Sequence, residues 1–127
     1  MRGTSYEDVT LTTTGTLTVG TGGIGSGTQI EDVSLDGTSI VLKGNITTAG
    51  ATVGETNNVG DFYFDGAVTI DGAITITTDV SGSTVNDGKI DFATNTINAE
   101  GTSTDSLTLT SGSGTITLGG AVGGTTG

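Results

Sequence analysis

Short strands of alternating apolar and polar residues recur along the whole chain, and this periodicity constrains the fold more than any other feature. Seven triplets place two aliphatic residues on either side of a hydroxyl residue, as in Val68-Thr69-Ile70 and Ile74-Thr75-Ile76. In an extended chain this period of two puts both aliphatic side chains on one surface and the hydroxyl on the other. Turn-forming pairs such as Asp65-Gly66 and Asp71-Gly72 separate the strands. No segment has the three-to-four spacing of a helix, so the sequence predicts an all-β protein.

The spacing between successive strands favours a solenoid among the all-β folds. The first apolar residues of the strands follow one another every 7.5 residues on average, over about 15 intervals. This spacing is shorter than the roughly 8 to 12 residues typical of a sandwich or barrel. Three such steps make a coil of about 22 residues, which lies in the range of repeat architectures. The sequence therefore predicts a right-handed parallel β-helix, or β-solenoid, of about five coils; a trimeric β-fibre and a two-sheet β-sandwich remain as alternatives.

The composition agrees with a narrow solenoid core. Only 31% of the residues are hydrophobic, which would leave a conventional globular core thin. In a solenoid each coil buries a few aliphatic side chains against the coils above and below, so this content suffices. Proline, which would remove a hydrogen bond between coils, is absent, and 24 glycines are available for the corners.

The residue types that are missing exclude several functions. Without cysteine or histidine the chain lacks the usual zinc ligands, a thiol nucleophile and an imidazole base, so we expect no enzymatic activity and no cofactor. A net charge of −11 opposes contact with nucleic-acid phosphates. No apolar run approaches the roughly 18 residues that span a bilayer, so membrane insertion is not expected. Residues 1–5 lack the strand pattern and are expected to be a remnant of the expression vector.

A longer repeat overlies the short one. The segment at 8–28, DVTLTTTGTLTVGTGGIGSGT, matches the segment at 106–126, SLTLTSGSGTITLGGAVGGTT, strand for strand. Val9 and Leu107, which correspond in this alignment, are 98 residues apart. We therefore expect residues 6–127 to form one solenoid segment that contains one 98-residue superrepeat and the start of the next. This arrangement is typical of a unit taken from a tandem array.

The segments SLTLTSGSGTITLGGAVGGTT and EDVSLDGTSIVLKGNITT resemble the repeats of large bacterial surface adhesins of the filamentous-haemagglutinin and autotransporter-passenger type. The resemblance implies a secreted or cell-surface location and a right-handed β-helix. It also implies a structural or adhesive role, as a rigid rod or fibre in adhesion, biofilm matrix or surface filaments. It supplies no catalytic residues. Because the ends of a solenoid carry unpaired backbone groups, we also expect self-association end to end, and the partner on the other surface would be a glycan or a protein receptor.

One aromatic segment is a candidate glycan contact. In Asp61-Phe62-Tyr63-Phe64-Asp65 the period of two sends Phe62 and Phe64 inward, where they fill the core, and Tyr63 outward between two acids. An exposed aromatic ring beside carboxylates can stack on a sugar. Tyr63 is therefore a possible glycan contact, and the alternative is an ordinary surface residue.

Two further alternatives rest on oxygen-bearing side chains. Asp65, Asp71 and Asp87 are weak calcium candidates, because calcium prefers carboxylate and carbonyl oxygens; the alternative is that acids at Asp-Gly turns serve solubility. Threonine pairs that flank one aliphatic residue would align hydroxyls on a flat face, as in ice-binding solenoids, although irregular strand spacing argues against a regular lattice. These pairs occur at 10–12, 16–18, 75–77, 108–110 and 115–117.

Overall fold

The chain forms parallel strands joined by turns. The computed structural model describes residues 7–26, 30–48, 60–79, 87–101 and 104–123, and no helix occurs among them. The prediction of an all-β protein is therefore confirmed. The described strands are β1 Glu7–Thr12, β2 Thr16–Val19, β3 Ile30–Leu42, β4 Ile46–Thr47, β5 Phe62–Ile70, β6 Ala73–Thr77, β7 Ile90–Asp91, β8 Ile97–Ala99, β9 Ser106–Thr110 and β10 Ile116–Thr117.

The strands stack on three faces, and every ladder between described strands is parallel. Face 1 contains β1, the N-terminal half of β3, the N-terminal half of β5, β7 and β10. Face 2 contains β2, the C-terminal halves of β3 and β5, β8 and a bridge to Val122. Face 3 contains Ile24, β4, β6 and β9. The parallel β-solenoid is confirmed, and the sandwich alternative is wrong because a sandwich is built mainly from antiparallel pairs. Each coil contributes one layer of strands, called a rung below. The rungs stack on one another within one chain, unlike those of an intertwined trimeric fibre.

The coils are longer and fewer than the sequence predicts. Hydrogen-bonded positions on neighbouring rungs lie 24, 29, 28 and 26 residues apart, from the first pair of rungs to the last. Face 3 has three strands, β4, β6 and β9, so about three coils carry a strand on every face. The prediction of five coils is therefore wrong. The outer rungs are shorter, because the first contributes only a bridge at Ile24 to face 3 and the last ends in a bridge at Val122.

Aliphatic and aromatic side chains fill the interior in columns that run along the solenoid. On face 1 the alternating residues of β5, Phe62 and Phe64, are buried as predicted, and Phe92 joins them from the next rung. The ring centroids of Phe64 and Phe92 are 4.3 Å apart and their planes differ by 5°, so the two rings stack along the axis. Leu35 lies in the same column and is also fully buried. Each rung thus covers the apolar side chains of the previous one, which is how a short strand with two inward residues obtains a core.

Buried hydroxyl groups close the corner between face 3 and the next rung of face 1. Thr48 and Thr78 are buried, and each donates a 2.5 Å hydrogen bond to a glycine carbonyl, that of Gly60 and that of Gly88. Ser111 takes the same position one rung later and donates to the carbonyl of Gly114 at 3.0 Å. These bonds give the buried hydroxyls and the glycine carbonyls hydrogen-bond partners.

Candidate functional site

The outer surface of face 1 holds a cluster of aromatic and charged side chains around Tyr63. Tyr63 is 37% exposed, and its hydroxyl donates to Asp61 Oδ2 at 2.9 Å. Lys89, from the next rung, places its Nζ 4.5 Å from the centre of the tyrosine ring and 3.9 Å from Asp61 Oδ2. Asp91 is the residue paired directly with Tyr63 on that rung. The solenoid thus gathers one phenol, one ammonium and two carboxylates on the outer surface of face 1.

A ladder of aspartates leads to this cluster along the start of face 1. The Asp32 backbone N–H donates to Asp8 Oδ1 at 3.4 Å, and the Asp61 N–H donates to Asp32 Oδ1 at 2.7 Å. The Lys89 N–H then donates to Asp61 Oδ1 at 3.0 Å. Each carboxylate therefore accepts a hydrogen bond from the next rung. Stacked like charges repel one another, and here backbone donors and the terminal lysine offset that repulsion.

The titration of the cluster follows from these contacts. Burial raises the pKa of Asp32, and the nearby charges of Asp61 and Asp8 add to this increase. Lys89 lowers the pKa of the Tyr63 phenol, but burial and Asp61 outweigh that effect, so the pKa is raised and the phenol stays protonated at neutral pH. The pKa of Lys89 is raised, first by the neighbouring Tyr63 phenol and then by the nearby acids, so the ammonium keeps its charge. The cluster therefore presents a neutral phenol beside a charged ammonium.

This arrangement limits what Tyr63 can bind. Lys89 lies over the ring at a distance typical of a cation–π contact, so that side of the ring is occupied. A sugar would have to stack on the opposite side, with Asp61 and Asp91 as acceptors for its hydroxyls. The structure thus leaves Tyr63 partly exposed on the outer surface, as the glycan hypothesis requires. It also places Lys89 and Asp91 of the next rung beside Tyr63.

The three calcium candidates lie at three different corners of the solenoid. Asp65 ends the face 1 part of β5, Asp71 follows the face 2 part of the same strand, and Asp87 precedes face 1 on the next rung. The described residues contain no group of three or more acidic side chains placed to share a metal ion. The structure therefore does not bring Asp65, Asp71 and Asp87 together.

Two of these aspartates have other partners. Asp71 Oδ2 forms an ion pair with Lys43 Nζ from the preceding rung, and that hydrogen bond lowers the pKa of Asp71. Asp87 is buried, and its Oδ2 accepts hydrogen bonds from the backbone N–H of Ser113 at 2.8 Å and from its hydroxyl at 3.0 Å. Both carboxylates therefore connect neighbouring rungs.

Face 3 carries aligned hydroxyl groups on its outer surface. Thr47, Thr77 and Thr110 are paired in register on successive rungs and form one rank. Thr75 and Thr108 form a second rank two residues earlier, and Asn45 precedes them with its side chain accepting the Thr75 N–H at 2.9 Å. Only two of the five predicted threonine pairs, those at 75–77 and 108–110, stack on each other. The pairs at 10–12 and 115–117 lie on face 1, and 16–18 lies on face 2.

Both ends of the described solenoid expose aliphatic side chains that inner rungs bury. Leu11 on the first rung is 42% exposed, and on the last rung Ile116, Leu118 and Val122 are 39%, 47% and 58% exposed. Inner residues in the same columns, such as Phe92, are fully buried. An apolar cavity of about 150 Å³ opens beside the last rung, lined by Ile70, Ile97, Leu107 and Val122 among others. The last rung therefore exposes side chains that face inward, whereas on the first rung Leu11 is exposed and Leu17 and Val19 are buried.

The sequence-based prediction missed several of these residues, although the period of two identifies some of them as inward-facing. Phe92 and Thr78 each follow a buried aliphatic residue by two positions, and Ser111 follows the partly buried Leu109, so the period of two places all three inward. The contact between Tyr63 and Lys89 left no such signal, because it depends on the length of the coil between them.

Comparison with known proteins gives no relative from which a function could be transferred. No protein-family model, no curated protein and no solved structure matches the chain. The part of the chain that the structure describes includes no helix long and apolar enough to cross a membrane.

Proposed function

We propose that this chain is a structural and adhesive repeat of a secreted or cell-surface bacterial protein, and that it acts as a rigid rod. The observation that carries the proposal is the stack of parallel coils along one axis with aliphatic side chains exposed at both ends. A stack of this kind lengthens by adding coils, and each added coil buries the exposed side chains of the last one. We expect the coil to be right-handed, because connections between parallel strands of one sheet are almost always so.

Self-association end to end is part of this proposal. Among the described strands, the edge strands β1, β9 and β10 have a neighbouring strand on one side only, and such edges pair readily with another chain. Covering a half-exposed leucine or valine stabilises a contact by about 1 kcal/mol, so several of them together favour association. The net charge of −11 on each copy opposes it, and salt screens that repulsion.

The lateral partner would be a surface glycan or a protein receptor, and Tyr63 on face 1 is the proposed contact. Individual contacts of this kind are weak, and a rod that repeats them gains strength through multivalency. The proposed role includes neither catalysis nor a cofactor, and it involves neither nucleic acid nor membrane insertion. Specific calcium binding is a weaker alternative, which calorimetric titration of the chain with calcium would support only if heat is released and the melting temperature rises.

Light scattering over a range of protein and salt concentrations tests the rod. We expect the molar mass to increase with concentration and with added salt, and electron microscopy to show thin filaments. Leu118→Lys places a charge in the exposed core at one end and should abolish the increase. Thr117→Lys, on the outer wall of the same rung, is the matched control and should leave the increase in place. A strict monomer at high protein concentration and high salt would overturn the proposal.

Ice binding is a second candidate, because of the two threonine ranks on face 3. Rungs of a parallel sheet repeat at about 4.8 Å, and the in-register pairing of Thr47, Thr77 and Thr110 gives their hydroxyls this spacing along the axis. Thermal hysteresis of the purified chain is the test. Clear activity that Thr77→Lys removes would favour this function over the adhesive one, and zero hysteresis would exclude it.

A further inference from the structure

The two ends of the solenoid are similar in sequence but lie on different faces. Val9 in β1 is on face 1, whereas its counterpart Leu107 in β9 is on face 3. Ile24 is on face 3, whereas its counterpart Val122 is on face 2. The corresponding residues remain inward-facing in both copies. With coils of 24 to 29 residues, a shift of 98 residues is therefore about three and two-thirds turns, one face short of four.

The last rung also has a step in it. On face 1 the last described strand is β10, which stacks on β7. On face 2 the last described position is Val122, which stacks on β8. On face 3 the last described strand is β9, which belongs to the same rung as β7 and β8, so the described part of face 3 is one strand shorter at this end than faces 1 and 2. The first rung begins with β1 and then passes through β2 to Ile24. A coil placed on this end fits the step only if it begins on face 3.

We propose that a second copy of this chain docks on the last rung with its own β1 on β9, its β2 on β10 and its Ile24 on Val122. The second copy is then rotated about the axis by one face, roughly one-third of a turn. This inference rests on the end-to-end association proposed above and specifies the contact by which it occurs.

This docking places like residues on like residues. The second copy's Leu11 lies over Leu109, and its Leu17 and Val19 lie over Ile116 and Leu118. The side chains that are most exposed at the two ends are thereby covered by aliphatic partners. Outward threonines also continue in register, since residue 10 of the second copy stands beside Thr108.

Docking without rotation fits less well. It would place β1 of the second copy on β10 and Ile24 of the second copy above β9. Because β9 belongs to the rung before β10, the space of one missing strand, about 4.8 Å, would remain on face 3. That gap would leave the outer edge of β9 unpaired and the apolar side chains of face 3 without a neighbour, which is costly.

The rotation determines how a rod displays its outer residues. Each side chain, Tyr63 among them, appears on a different face in each of three successive copies and returns to its first face in the fourth. A rod built this way presents the Tyr63 cluster all round its circumference. It can therefore contact partners on several sides at once, rather than along a single stripe.

Disulfide cross-linking of full-length chains tests the docking, and the absence of native cysteine makes it clean. Thr10, Thr108 and Thr117 point outward from strands, so cysteine at these positions leaves the core unchanged. Directly paired positions on neighbouring strands lie at a Cα separation that a disulfide can bridge. Thr10→Cys is mixed with Thr108→Cys in one reaction and with Thr117→Cys in another, under conditions of filament formation. Mild oxidation and mass spectrometry then identify the linked peptides.

We expect a heterodisulfide between positions 10 and 108 in the first mixture and none between positions 10 and 117 in the second. Filaments that link positions 10 and 117 instead would overturn the rotation while leaving the end-to-end rod intact. Filaments with neither heterodisulfide would show that the ends are not the contact. If no filaments form under any salt condition, both the rod and the docking are wrong.

Discussion

Substitution of Gly66 by alanine should destabilise the chain far more than substitution of Gly72, although both glycines have a positive φ. Gly66 has φ +144° and lies at the corner of β5, where the register with β3 shifts. A Cβ at Gly66 would overlap the carbonyl oxygen of Gly37 on the neighbouring rung and lie 3.0 Å from its carbonyl carbon. Gly72 has φ +117°, and a Cβ there would have no atom within 4 Å.

The expected magnitudes follow from these two environments. Gly72→Ala introduces only backbone strain, about 2 kcal/mol, which lowers the melting temperature of a chain of this length by roughly 7 °C. Gly66→Ala adds the clash, which forces the β3 and β5 rungs apart and weakens hydrogen bonds of about 1 kcal/mol each. Its total cost should reach about 4 kcal/mol, or roughly 15 °C.

Thermal unfolding followed by far-ultraviolet circular dichroism measures both variants against the parent chain. The difference between them isolates the close approach of adjacent rungs, since the strain is common to both. Equal melting temperatures for Gly66→Ala and Gly72→Ala would refute the stacking of Gly66 on Gly37.

Three further substitutions test the polar contacts between rungs. Asp32→Asn should raise the melting temperature at pH 7 but not at pH 3. The pKa of Asp32 is raised in the folded chain, so this carboxyl stabilises the fold below its ordinary pKa of 3.8 and loses that contribution as the pH rises through the folded pKa. An equal change in melting temperature at both pH values would contradict this. Thr78→Val should cost about 1 to 3 kcal/mol in urea unfolding, because it removes a buried hydroxyl donor, and Thr77→Val on the outer wall should cost under about 0.5 kcal/mol. Asp71→Asn should lower the melting temperature slightly at low salt and not at about 1 M salt, because its partner Lys43 is exposed and salt screens the ion pair. The pKa of Asp71 is lowered in the folded chain, so the stabilisation from this ion pair is present above pH 3.8 and is lost as the pH falls through the folded pKa. A loss that persists in salt would be inconsistent with a surface ion pair.

The direction of each side chain could be predicted from the sequence, because it depends only on the alternation within a strand. Phe62 and Phe64 point inward and Tyr63 outward for this reason, and the same rule accounts for the buried Thr78. Parallel stacking also followed from local features, namely short strands, corner glycines and the absence of proline.

The partners of each residue could not be predicted, because they depend on coil length. The estimate of 22 residues treats every interval between strands as equal, whereas hydrogen-bonded positions on neighbouring rungs lie 24 to 29 residues apart. A coil of 22 residues would place residue 85 beside Tyr63, but the structure places Asp91 there. The Tyr63 cluster therefore arises from an interval that alternation does not encode. For the same reason Asp65, Asp71 and Asp87 lie at separate corners.

Nuclear Overhauser contacts between core side chains test the stacking of parallel rungs most directly. The chain has only three phenylalanines and two tyrosines, so its ring signals are few and readily assigned. We predict contacts from Leu35 to Phe64 and from Phe64 to Phe92, together with backbone contacts in which residue numbers on neighbouring strands increase together. Backbone contacts in which one number increases as the other decreases would show hairpins, and the solenoid would be wrong.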